Sequence, residues 1–106
     1  MDDLRTYFAA RLPVRLGEIE AAWRETVRQD WSGVDAEALR RFHRLVHSLA
    51  GSGATFGYPE VSRAARELER FVEPVSGRGE APGDPAGFVE RVEALLAGLR
   101  EASEPR

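Results

Sequence analysis

The chain has 106 residues, 42% of them hydrophobic, which is enough for one core and too little for two. With 15 basic and 18 acidic residues it carries a net charge of −3, so it projects no general positive field, and bulk nucleic-acid binding is disfavoured. Cysteine is absent, which rules out a disulfide framework and a thiolate metal site and fits a reducing compartment.

The first residues, Met1-Asp2-Asp3-Leu4, are acidic and lead into an amphipathic pattern, not into a continuous apolar run. No apolar stretch approaches the length of a membrane span, and a soluble cytoplasmic domain is expected. Leu4, Phe8, Leu12, Leu16, Ile19, Trp23 and Val27 recur at intervals of three and four, a helical stripe. Pro13 falls inside it, removes an amide donor and crowds the carbonyl four residues back. The pattern therefore predicts a short helix from about Asp2 to Arg11 and a longer one from near Pro13, with proline in its first turn. Gln29 to Val34, with Trp31, Ser32 and Gly33, reads as a connection. Trp23 and Trp31 read as core and rim residues, not as a ligand cage.

Asp35 is the expected N-cap of the central helix, with Glu37 near the positive end of its dipole, and Gly57 is its expected left-handed stop. At roughly 100° per residue, Phe42, Leu45, Val46, Leu49, Gly53 and Phe56 share one side, and His47 stands on the other. The neighbours of His47 on that outward face are Arg40, His43, Arg44, Ala50, Gly51 and Ala54. Gly51 and Gly53 would each cost roughly 0.5–1 kcal/mol against alanine in a helix interior. Gly53, at the edge of the apolar side, is expected to let a neighbouring helix approach, whereas Gly51 leaves the imidazole open to a macromolecule. Leu39, Val46 and Tyr58 are expected at the border of that docking face, and the Ser52 hydroxyl is expected to bond a carbonyl one turn earlier.

The next helix begins with Pro59 and Glu60, and Val61, Ala65, Leu68, Phe71 and Val72 form its apolar face. The short connection makes it an antiparallel neighbour of the central helix. Arg63, Arg66 and Arg70 lie along it, as Arg40, Arg41 and Arg44 precede His47. Such a local basic patch suits an acidic protein surface or a phosphoryl group, although each arginine alone also fits an ordinary solvated face. Pro74 is expected to end this helix, and Ser76 to Gly83, holding Gly77, Gly79, Pro82 and Gly83, reads as a loop. Asp84 as cap and Pro85 open the last helix, with Phe88, Val92, Leu95, Leu96 and Leu99 as its stripe and Glu101 to Arg106 as a polar tail. The expected fold is all-α: one domain over residues 1–106, an up-and-down four-helix bundle with a short additional N-terminal helix over one end.

Histidine suits phosphoryl transfer because its neutral ring nitrogen is nucleophilic near physiological pH while the other nitrogen is held by a hydrogen bond. Gly51-Ser52-Gly53 lies within a helix and lacks the lysine of a nucleotide-binding phosphate loop, so autonomous kinase activity and ATP binding are not expected. No acid or base is spaced to activate Ser52 as a nucleophile. His43 and His47, at i and i+4, have the spacing of a shared metal ion, but no third ligand is evident and no metal site is assigned.

The run His47-x-Leu49-x-Gly51-Ser52-x-x-x-x-Gly57 resembles the signature of histidine-containing phosphotransfer (HPt) domains of bacterial phosphorelays, and the bundle expected for nearly the whole chain matches that family. The resemblance implies that His47 accepts a phosphoryl group from the aspartate of a receiver domain and passes it to another receiver, the receivers of hybrid histidine kinases being among the candidates. It also implies that this chain binds no cofactor, the Mg2+ and the acidic pocket being the receiver's. Ser52, Gly53 and Gly57 would be structural parts of the motif. The family usually has lysine three residues after the histidine, where this chain has Ala50; Arg40, Arg44 and the pair Arg63 and Arg66 are the candidates for another cation. The alternative is a non-catalytic module of the same fold that docks a receiver without carrying phosphate. A monomer is expected, because the apolar stripes are used up inside one bundle.

Overall fold

A computed structural model describes residues 2–28, 36–78 and 82–104. Four helices follow one another: α1 Asp2–Arg28, α2 Ala36–Thr55, α3 Pro59–Arg78 and α4 Pro85–Ala102, and no strand occurs among the described residues. The expected connection from Gln29 to Val34 with Trp31, the Asp35 cap and positions 79–81 of the loop lie outside the described residues. The bundle is elongated, 47 × 20 × 19 Å. None of its helices is long and apolar enough to cross a membrane, among the described residues.

The core follows the apolar stripes. Phe8, Leu12, Ile19 and Trp23 of α1, Phe42, Val46 and Leu49 of α2, Val61, Leu68 and Val72 of α3, and Phe88, Val92, Leu96 and Leu99 of α4 form one buried cluster. Trp23 packs between the Phe42 ring at 5.4 Å and the Phe88 ring at 6.3 Å, as a core residue. Phe8 stacks on Phe56 at 5.5 Å and lies 5.0 Å from Tyr58, joining α1 to the turn between α2 and α3.

Two helix boundaries differ from the sequence reading, and both differences concern proline. Helix α1 runs unbroken from Asp2 to Arg28 with Pro13 inside, so no separate short N-terminal helix exists. Helix α3 continues through Pro74 to Arg78. An interior proline costs about 3 kcal/mol mainly through the lost hydrogen bond and the clash at residue i−4. Pro13 and Ala9 both lie on the solvent side, where the carbonyl that proline leaves free is open to hydration. Past Pro74, Val75 and the buried Ser76 continue the packed face of α3. Burial on both sides of each proline outweighs the local penalty.

The other signals act as their chemistry demands. Gly57 adopts φ +84°, the left-handed stop after α2, and Tyr58 N–H returns to the Gly53 carbonyl at 2.7 Å. Asp84 caps α4 by accepting the Gly87 N–H at 3.1 Å, with Pro85 at the first helical position. A carbon added at Gly53 would stand 3.2 Å from Ser62 N and 3.3 Å from Tyr58 O, so the glycine lets α3 approach to backbone contact.

Candidate functional site

Helix α2 presents three sides. Phe42, Val46, Leu49 and Gly53 face the core. Arg41 and Ser48 face α1, where Arg41 pairs with Glu25 and Arg15 donates to the Ser48 hydroxyl at 2.9 Å. His43, His47 and Ala50 lean towards α3, where Ser62 donates its hydroxyl to the Ala50 carbonyl at 2.8 Å.

The His47 side chain is 71% exposed, and its Nδ1 lies 2.5 Å from Glu69 Oε2 of α3. A carboxylate only accepts, so the imidazole donates from Nδ1, and in the neutral ring the free lone pair is then on Nε2. A carbon added at Gly51, the next turn, would meet nothing within 4 Å. The site is thus an exposed imidazole held at Nδ1, with no bulk on the turn after it.

A family model, the Hpt domain, matches residues 3–102, nearly the whole chain. The chain belongs to the Hpt domain family. Its place in that family makes the general role phosphorelay histidine phosphotransfer, with receiver domains as the general class of partner. Among curated proteins and solved structures, none matches the chain.

The Hpt fold distributes the residues singled out in the sequence unevenly. Arg40, Arg44, Gly51, Ala54, Arg63 and Arg66 are exposed. Ala50 is not part of that surface: it is 3% exposed and packs in the core cluster beneath Ser62. Leu39 and Val46, expected at the rim, are also fully buried, and Tyr58 is half-buried under Phe8 with Arg5 stacked on its ring at 5.0 Å. The hydroxyl that bonds a carbonyl one turn back belongs to Thr55, on Gly51 O at 3.0 Å, and not to Ser52. Gly53 and Gly57 hold the structural places described above.

Glu69 is the site residue that sequence reasoning missed. Its Oε2 also lies 3.8 Å from His43 Nε2, a buried nitrogen without a hydrogen-bond partner. The two histidines therefore share one carboxylate from the neighbouring helix, although among the described residues no group of three ligating side chains is set to hold a metal ion. The signal for Glu69 was its register. The short turn at Gly57 folds α3 back on α2, so a residue about as far after the turn as His47 is before it comes level with the histidine.

Proposed function

We propose that His47 is the phosphoacceptor of this Hpt domain, taking a phosphoryl group from a receiver aspartate and passing it to a second receiver. The observation that carries this reading is the Glu69 contact at Nδ1 of a side chain that is 71% exposed, which in the neutral ring favours the proton on Nδ1 and the lone pair on Nε2. In the forward step Nε2 attacks phosphorus, the N–P bond forms, the acyl P–O bond breaks and the aspartate leaves as a carboxylate. The ring becomes cationic, and Glu69 compensates that charge through the Nδ1–H it already holds. Positioning and charge supply most of the catalysis in such transfers. The receiver would bring Mg2+ and the acidic pocket, and this chain the oriented nucleophile. A cytoplasmic, monomeric domain is the corresponding expectation.

The test is intact-mass analysis of wild type and His47→Gln after incubation with phosphoramidate, followed by mixing with a receiver domain. The reading predicts one phosphoryl group on wild type alone and its loss to the receiver. A folded wild type that stays unlabelled would establish the alternative, a module that docks receivers without carrying phosphate. Glu69→Gln keeps size and shape but replaces the charge; labelling is expected to slow by about 10- to 100-fold, the kinetic equivalent of one charge-assisted hydrogen bond worth about 1.5–3 kcal/mol.

A further inference from the structure

We propose that Arg66 is the oxyanion anchor of the His47 site, its guanidinium, with Arg63 and Arg70 beside it, holding the phosphoryl oxygens while phosphorus passes to Nε2. The inference rests on the reading of His47 as phosphoacceptor and adds the group that receives what is transferred.

Register places Arg66 there. Two contacts fix how α3 lies on α2: Glu69 meets His47, and Ser62 meets the Ala50 carbonyl. Arg66 stands between them, four residues after Ser62 and three before Glu69. At roughly 100° per residue it lies within about 60° of both around the helix axis, on the side of α3 that borders the turn from His47 to Gly51. Arg63, Arg66 and Arg70 line a groove of about 470 Å3 together with Ala54, Pro59 and Ser62. Among the described residues Glu67 is the one acidic residue on its wall, which leaves an excess of positive charge on a chain whose net charge is −3.

These three guanidinium groups are uncommitted. Arg41 is engaged by Glu25 and Arg100 by Glu20, whereas Arg63, Arg66 and Arg70 make no salt bridge or hydrogen bond among the described residues. Helix α2 offers nothing equivalent on this side, since Ala50 is buried and Gly51 bears no side chain. Arg44 is one turn before His47 but on the flank towards α1, away from the Glu69 side. A guanidinium presents paired N–H donors that match two oxygens of a phosphoryl group. With Glu69 holding Nδ1, the open turn at Gly51 leaves room for phosphoryl oxygens on the side that carries Arg66.

The proposal is tested on the whole chain with phosphoramidate as donor. In that reaction His47 Nε2 attacks phosphorus, the N–P bond to the donor nitrogen breaks and ammonia leaves, while Nδ1–H stays on Glu69. Labelling rates are measured for wild type, Arg66→Gln, Arg66→Lys, Arg66→Glu and Arg44→Gln, with and without sulfate as a competing oxyanion. Loss of one charge-assisted donor pair predicts that Arg66→Gln labels about 10- to 100-fold more slowly. Arg66→Glu should be slower still and Arg66→Lys partly restored. Sulfate should compete in wild type and lose that effect in Arg66→Gln, a readout that a merely structural role would not move. Equal rates for wild type and Arg66→Gln, or a larger loss in Arg44→Gln, would overturn the assignment. If wild type does not label at all, the phosphoacceptor reading fails instead, and sulfate titration followed by amide NMR then decides the anchor. Saturable shifts centred on Gly51 and Arg66 that vanish in Arg66→Gln support it, and their absence overturns it.

Discussion

The two sides of α2 are built differently. Towards α3 the backbones touch: Gly53 has no room for a side chain, Ser62 reaches the Ala50 carbonyl, and Glu69 clasps His47. Towards α1 the seam is closed by long side chains at the surface, Arg41 on Glu25 and Arg15 on Ser48. Helix α1 moreover leaves Leu4, Tyr7 and Val14 exposed. The difference teaches where precision resides. The proposed phosphoacceptor needs close positioning, and His47 sits on the side where close backbone approach fixes the register of its partner. The α1 side supplies bulk burial through Phe8, Leu12, Ile19 and Trp23, which tolerates more play.

The contrast is sharpest between the two glycines two residues apart. Gly53→Val drives two methyls into the backbone of α3 and is expected to cost about 2–3 kcal/mol, the upper range for overpacking, read as a lowered urea midpoint. Ser62→Ala removes the hydroxyl that ties α3 to the Ala50 carbonyl and should cost about 1 kcal/mol by the same measurement. Gly51→Ala, by contrast, enters open space in mid-helix and should stabilise the fold by about 0.5–1 kcal/mol. On the α1 side, Arg41→Gln breaks an exposed ion pair and should change stability by about 0.5 kcal/mol or less, with the difference fading at high salt. A loss at Arg41 as large as that at Gly53 would erase the distinction between the two seams.

Much of the bundle was legible because helical periodicity and punctuation agree. The stripes of α2, α3 and α4, the stop at Gly57 and the Asp84-Pro85 start are local signals, and each is found where its chemistry puts it. Pro13 and Pro74 misled for the same reason. A proline reports a local cost, whereas the packing that outweighs it comes from residues far away in sequence. The exposed His47, the open Gly51 and the close-packed Gly53 were readable from angular position on one helix. Ala50 was not, because at the border of that face burial depends on how closely α3 settles. Glu69 was hidden for a related reason: it is 22 residues from His47, and nothing in its own helix marks it apart from other carboxylates.

The most direct test of this account is to find which nitrogen takes the phosphoryl group, by 15N and 31P NMR of the labelled chain. With Nδ1–H donated to Glu69, the phosphorus is expected on Nε2 of His47 and nowhere else. Phosphorus on Nδ1, or on His43, would contradict the claim that Glu69 orients the nucleophile.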